Sequence, residues 1–221
     1  MATSAPRYLR EPPDLHPAVV GCLARRGRIG AREILASVLL LVADGALVAR
    51  SSTRRVTTIA SAHDIGVLEL RPVPERWEGL DPLDQGLIAL LFGAPGGPGA
   101  LSLPDLQAAI RKRPRWFRAG VADWQRAVGS RAETLGLMRD GALTPAGATA
   151  RREHAAFQRF LKDFGTLDDE PTLAIELWGP YLAYAVLFGL GDRVARELAV
   201  DSPSAARDPN LAVWRAWFGL D

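Results

Sequence analysis

The stretch from Leu177 to Leu198 constrains the fold of this chain more than any other, and it reads LWGPYLAYAVLFGLGDRVAREL. No charge occurs between Tyr181 and Leu190, after which charged residues resume at Asp192. A helix that is apolar on every side belongs inside a protein. The uncharged part is also shorter than the roughly 20 apolar residues that cross a bilayer. The stretch therefore predicts a buried packing helix.

The composition is that of a packed globular protein. The 221 residues, 48% of them apolar and 24% charged, predict one or two ordinary domains. Cys22 is the single cysteine, so no internal disulfide forms, and its apolar neighbours predict a small core residue. The first residues contain no apolar leader, and the run from Ile34 to Val48 is interrupted by Asp44. We expect a soluble, cytoplasmic protein without a signal peptide.

The charge is distributed unevenly along the chain. Residues 165–221 contain nine acidic residues and four arginines, a net charge of −5. Because the whole chain carries +2, residues 1–164 carry +7. Such a basic region can contact nucleic acid, anionic lipid or the chain's own acidic tail.

Residues 1–76 have the element order of a winged helix-turn-helix, with two helices followed by a β-hairpin. Gly45 ends the second helix, and the polar run after Arg50 is typical of a turn. The predicted elements are helices Pro17–Arg26 and Ala31–Asp44, strand Ala46–Arg50, a turn at Ser51–Arg55, and strands Val56–Ala60 and Gly66–Arg71.

Residues 77–165 predict a second, similar unit. Its helices cover Pro82–Phe92, Ser102 or Leu103 to Arg113, and Phe117–Gly136, and a short hairpin surrounds Arg139–Gly141. Thr144 and Pro145 then start a helix that ends at Gly165. The predicted fold class is mainly α with small β-hairpins (α+β): two winged-helix-like units followed by a C-terminal helical segment at 166–221.

Whether the first unit can recognise a DNA sequence depends on the helix in its recognition position. Such a helix exposes Arg, Lys, Asn or Gln to the base edges. Residues 34–43 read ILASVLLLVA, and Ser37 is their single polar side chain. This composition indicates a core helix and argues against sequence-specific DNA binding by the first unit.

Two basic segments are candidate binding surfaces. The predicted hairpin tip carries Arg54 and Arg55, which suit phosphate contacts or simple solvation. A denser segment, residues 111–118, contains Trp116, Phe117 and five cations: Arg111, Lys112, Arg113, Arg115 and Arg118. It suits single-stranded nucleic acid or an anionic membrane surface. The pattern favours a third interpretation, a helix–helix turn with both rings in the core and the cations in water.

The C-terminal segment has an aromatic stripe formed by Trp214, Trp217 and Phe218. These rings predict internal packing, with a partner protein or a membrane interface as alternatives.

Nothing in the sequence indicates catalysis. The loop Gly93–Gly99 lacks the Lys-Ser/Thr pair of a phosphate-binding loop. His16, His63 and His154 are not spaced like zinc ligands, and no nucleophile motif occurs. We expect a non-enzymatic protein with no cofactor, metal site or catalytic residue.

Three segments resemble the bacterial predicted-membrane-protein family known as domain of unknown function 2207 (YciQ-like). Residues 11–50 are similar to its proline-rich entry and first helices. Residues 144–147 and 157–161 (TPAG and FQRFL) resemble its Thr-x-x-Gly and Phe-Lys-x-Tyr-Leu elements. Residues 181–190 resemble its Tyr-Leu-Pro-Tyr-Ala-x-x-Leu-Gly signature, with Ala183 replacing the proline. The membrane spans and extracytoplasmic domain of family members have no counterpart in this sequence.

The resemblance implies the cytosolic part of a membrane protein and no established activity. We therefore expect a non-catalytic cytoplasmic interaction or scaffold module, located in the cytoplasm or at the inner face of the membrane. The expected partner is a protein or an anionic membrane surface. The alternative is a winged-helix nucleic-acid-binding protein that contacts phosphates through Arg54, Arg55 and residues 111–118.

Overall fold

The computed structural model describes residues 8–57, 62–93, 99–163 and 178–194, and this part of the chain is mainly α-helical with small antiparallel strands, as predicted. Predicted helix starts are confirmed where a side chain caps the first turn. The Ser102 hydroxyl accepts a bond from the Asp105 amide (3.3 Å), and that of Thr144 accepts one from Gly147 (3.1 Å). The elements are α1 Pro17–Ala24, α2 Ala31–Ala43, β1 Leu47–Thr57, β2 Ala62–Pro72, a 3₁₀ turn Pro74–Arg76, α3 Pro82–Phe92, β3 Leu101–Ser102, α4 Leu103–Lys112, α5 Pro114–Thr134, β4 Met138–Arg139, β5 Ala142–Leu143, α6 Pro145–Asp163 and α7 Trp178–Phe188.

The first hairpin is longer than predicted, and the turn predicted at Ser51–Arg55 is wrong. These residues belong to β1, which pairs antiparallel with β2 from Leu47 opposite Pro72 to Thr57 opposite Ala62. The described part of this hairpin beyond Arg50 has no buried side chain until β2 returns to Leu70. Since neither face of that part is buried, its sequence lacks the apolar alternation that marks a strand.

The three-stranded sheet joins the two predicted units. β3 pairs with β2, placing Leu101 opposite Leu70. The second hairpin, β4–β5, forms as predicted around residues 139–142. The winged-helix interpretation of each unit and the boundaries at 76/77 and 165/166 stay predictions.

Helix α5 begins three residues before its predicted start at Phe117. Pro114 occupies the first turn, where its missing amide hydrogen costs no hydrogen bond. Arg113 is at once the last cap of α4 and the first cap of α5: its amide bonds Ala109 O (2.9 Å) and its carbonyl accepts from Phe117 N (3.1 Å). One residue therefore separates the two helices.

Helix α1 lies at the centre of the core and contacts α2, α5, α6 and α7. Cys22 is fully buried with its Sγ 3.6 Å from Met138 Sδ, and burial raises the pKa of its thiol. It is the core residue that the sequence predicts. Helix α7 lies along α2, and every residue from Tyr181 to Leu187 is buried. The apolar stretch is thus a packing helix.

Candidate functional site

The three segments that resemble the DUF2207 family meet at one aromatic cluster. Phe157 of α6 contacts Tyr181 and Tyr184 of α7, with ring centroids 5.7 and 5.9 Å apart in edge-on geometry. The Tyr181 hydroxyl donates to the carbonyl of Arg10, and that of Tyr184 donates to the carbonyl of Pro13 (3.0 Å). We call residues 8–15 the entry segment. The two tyrosines therefore attach the entry segment to the core.

A steric constraint explains why the Thr-Pro-Ala-Gly element ends in glycine. A side chain at Gly147 would overlap the carbonyl oxygen of Leu137, immediately before β4. The close approach lets Thr144 reach back, since its hydroxyl donates to Gly136 O (2.7 Å) and its amide to Leu137 O (3.1 Å). The β4–β5 hairpin is thereby held against the start of α6.

Residues 134–198 match the family model described as Predicted membrane protein (DUF2207) C-terminal domain. The resemblance to this family that the sequence predicted is confirmed over these residues. The DUF2207 match covers β4, β5, α6 and α7, and so contains the phenylalanine and tyrosine partners of the aromatic cluster. No curated protein and no solved structure matches the chain. No helix within the described residues is long and apolar enough to cross a membrane.

The DUF2207 match begins at residue 134 and so does not include the basic segment at residues 111–118. We call residues 111–118 the cationic corner. Its five cations are all exposed, and among the described residues none of them forms an ion pair: Arg111, Lys112, Arg113, Arg115 and Arg118. Both neighbouring acids are already paired, Asp105 with Arg54 and Asp123 with Arg126. The corner therefore carries five positive charges that no acidic residue in the described part of the chain neutralises.

The cationic corner projects because α5 is anchored through its second half. The Trp124 indole donates to Leu83 O of α3 (2.9 Å), and the Gln125 amide donates to Ile29 O, in the turn between α1 and α2 (2.8 Å). The buried residues of α5 are Trp124, Val128 and Ala132, spaced by four. Residues 114–123 contain no buried side chain.

The interpretation that places both rings of the corner in the core is wrong for Trp116. Its side chain is 51% exposed, whereas Phe117 is partly buried against the core. Trp116 forms one wall of an open groove of about 410 Å³ between α3 and α5, opposite Leu90. An aromatic ring thus lies at the surface beside the cations.

Arg54 is not the free phosphate ligand that a hairpin tip would provide. Its guanidinium forms a bidentate pair with Asp105 at the start of α4, with N–O distances of 2.8 and 2.7 Å. These hydrogen bonds hold the pKa of Asp105 well below its usual range. Arg55, next along β1, is exposed. The structure therefore commits Arg54 of β1 to an ion pair with α4, whose last residues begin the other predicted basic segment.

His16 has a structural role at the start of α1. His16 Nε2 lies 3.0 Å from Asp84 Oδ1, and His16 Nδ1 accepts the Ala18 amide hydrogen (3.1 Å). Because Nδ1 accepts, Nε2 carries the proton that is donated to Asp84. His16 thus caps α1 and links it to α3. Within the described residues, no three His, Cys, Asp or Glu side chains are placed to hold a metal ion.

One basic group escaped the sequence interpretation. Arg25, Arg26 and Arg28 line a concavity of about 510 Å³ at the turn between α1 and α2. The signal in the sequence was the Arg-Arg-Gly-Arg run at residues 25–28.

The predicted aromatic stripe of Trp214, Trp217 and Phe218 lies outside the described residues.

Proposed function

We propose that the chain is a non-catalytic interaction module on the cytoplasmic side, which attaches to an anionic membrane surface through the cationic corner. The observation that carries the proposal is the combination of five exposed cations, which form no ion pair among the described residues, with the exposed ring of Trp116. Lipid headgroups offer phosphates to the cations, and tryptophan favours the boundary between headgroup and acyl chain.

The energy of such a contact is sufficient for reversible attachment. Each cation near an anionic leaflet contributes about 1 kcal/mol, so five contribute about 5 kcal/mol at low ionic strength. Insertion of the Trp116 ring adds an apolar contribution that salt does not screen. Binding should therefore weaken as salt rises without vanishing.

The packed helices act as the scaffold that presents the corner. Trp124 and Gln125 fix α5 to α3 and to the turn after α1, so the corner has a defined direction relative to the core. A rigid presentation aligns the cations with one surface and reduces the entropy lost on binding. The family's description as a predicted membrane protein supports a membrane as the partner.

Nucleic-acid binding is the competing function, and two contacts weigh against it. Helix α2, in the recognition position of the first unit, is covered by α7. On α5, Gln125 has the side chain best suited to read adenine, but its amide is committed to Ile29 O. The remaining exposed arginines of α5 offer phosphate contacts, which carry no sequence information.

The test is sedimentation with phosphatidylglycerol vesicles. We expect the variant Arg111→Gln/Arg113→Gln/Arg115→Gln to bind about 100-fold more weakly at low salt, because three contributions of about 1 kcal/mol are lost. The matched control, Arg50→Gln/Arg76→Gln/Arg152→Gln, removes the same charge from exposed positions elsewhere and should bind within about threefold of the wild type.

Two results would reject the proposal. Equal losses in both triple variants would show that net charge, not the corner, drives attachment. Tighter binding to duplex DNA than to vesicles, with a steep salt slope that the corner variant flattens, would establish the nucleic-acid alternative.

A further inference from the structure

The arginine-lined concavity at the turn between α1 and α2 has the features of an anion site. Three of its four lining residues are arginines: Arg25, Arg26 and Arg28, beside Ala24. Arg26 and Arg28 are exposed, and neither forms an ion pair with any residue that the structure describes. The concavity therefore holds two guanidinium groups whose charge is uncompensated.

The backbone of the turn fixes where these side chains project. Arg26 has a left-handed conformation (φ 53°), which is rare for a residue with a side chain, and Gly27 follows at φ 84°. The Gly27 amide bonds Cys22 O (2.8 Å), and Gln125 of α5 holds Ile29 O. Strained backbone that is held by its surroundings is concentrated at functional sites. The turn is thus a fixed support and not a loose loop.

A buried carboxylate orients the side chain of Arg25. Its guanidinium pairs with Glu33, whose side chain is fully buried and also accepts the Gly30 amide hydrogen (2.7 Å). A side chain at Gly21 would overlap the Glu33 carboxylate, so the glycine makes room for the buried acid. Since Glu33 faces the core, it holds Arg25 in place while neutralising one charge of the three.

Helix capping alone does not explain why three arginines lie at the turn after α1. Cations near the carboxyl end of a helix interact favourably with its dipole, which accounts for Arg25 at the end of α1. That effect falls off beyond the last turn, and Arg28 lies four residues after the helix ends. The concave arrangement of three guanidiniums calls for another cause.

We propose that this concavity binds a phosphate group. Planar guanidiniums form paired hydrogen bonds with phosphate oxygens, and the two charges of Arg26 and Arg28 that remain after Glu33 has neutralised Arg25 match the charge of a phosphomonoester dianion. The group can belong to a soluble phosphorylated molecule or to a lipid headgroup. The site shares no residue with the cationic corner, so it does not depend on the proposed membrane attachment.

The first experiment is a calorimetric titration with inorganic phosphate. We expect Arg26→Gln/Arg28→Gln to weaken binding at least tenfold. The control Arg50→Gln/Arg152→Gln, with the same change of charge, should bind like the wild type. Because all four arginines are exposed, circular dichroism should show equal folding in every variant. Absence of phosphate binding to the wild type, or equal weakening by the control, overturns the proposal.

The second experiment distinguishes the two sources of phosphate. It compares vesicles containing phosphatidic acid, a phosphomonoester, with phosphatidylglycerol vesicles of equal surface charge. A loss in Arg26→Gln/Arg28→Gln that is confined to phosphatidic acid supports a lipid headgroup. Phosphate binding without any change on either vesicle supports a soluble ligand. The variant Arg111→Gln/Arg113→Gln/Arg115→Gln should keep its affinity for phosphate, which separates this site from the corner.

Discussion

Helix α1 buries seven of its eight residues, whereas α4 buries none of its ten. The two helices lie in the same small molecule, and both begin with a proline in the first turn and a side-chain cap. Their difference comes from position, since α1 packs against α2, α5, α6 and α7, whereas α4 contacts mainly α5 and β3. The comparison separates the residues that hold the protein together from those that are free to bind.

The same contrast distinguishes the two groups of aromatic residues. Phe157 contacts both Tyr181 and Tyr184 inside the core. Trp116 is instead half exposed among arginines. Aromatic side chains in the core contribute packing energy, whereas an exposed one beside cations is typical of a binding surface.

The largest expected effect is the loss of unfolding free energy when an aromatic ring is removed from the core. Phe157→Ala should lower the free energy of unfolding by about 3–5 kcal/mol, because the fully buried ring leaves a cavity. Trp116→Ala should change it by no more than about 0.5 kcal/mol while weakening vesicle binding. Urea denaturation measures both, and a comparable loss in the two variants would abolish the distinction between core and corner.

The next largest effect is the pH dependence of the free energy of unfolding, which depends on the core and not on the cationic corner. Burial lowers the pKa of His154 to about 4, so the folded protein keeps this side chain neutral. Between the ordinary pKa of about 6.5 and 4, the unfolded chain binds more protons, and stability falls as the pH falls. The full loss approaches about 3 kcal/mol below pH 4.

The control for this pH effect is His154→Leu, which should flatten the dependence of unfolding free energy between pH 6.5 and 4.5. Its stability at neutral pH should not fall, because Nδ1 of the buried His154 has no hydrogen-bond partner among the described residues. His154 does not belong to the cationic corner, so His154→Leu should bind vesicles like the wild type at each pH. A slope that persists in His154→Leu would assign the effect to another group.

The smallest expected effect concerns the junction of the core with the entry segment. Tyr184→Phe removes the hydroxyl bonded to the carbonyls of Pro13 and Leu15, and should cost about 1–2 kcal/mol. Burial, reinforced by the charge of Asp14, raises the pKa of this hydroxyl well above its usual value, so the bond persists in alkaline solution. Amide exchange should rise in residues 10–15 before the rest of the core. Uniform acceleration would show that the entry segment does not open separately.

Local signals in the sequence located most of the helices. Pro82 and Pro145 are predicted and observed first residues, and Thr144 is the predicted and observed cap. These predictions succeeded because a cap or a proline acts within one turn of its own position. The family resemblance marked residues 157–161 and 181–190 in the sequence, but only the structure shows that Phe157 contacts Tyr181 and Tyr184.

The candidate sites were less predictable because they depend on distant partners. The polar run Ser51–Arg55 resembles a turn, yet it pairs with β2, and Arg54 finds Asp105 on a helix 51 residues away. The concavity at the turn after α1 needs Glu33 and Gln125 to hold it. Neither residue is distinctive in the sequence.

The sequence alone determined that residues 181–187 are buried, because an uncharged helix of this length has no stable place in water. It also determined the helix starts and the concentration of cations at 111–118. Only the tertiary structure decided that Trp116 faces outward, that Arg54 is neutralised and that Arg26 and Arg28 share a concavity. Side-chain exposure depends on which elements pack together, and that packing results from contacts between residues far apart in the chain.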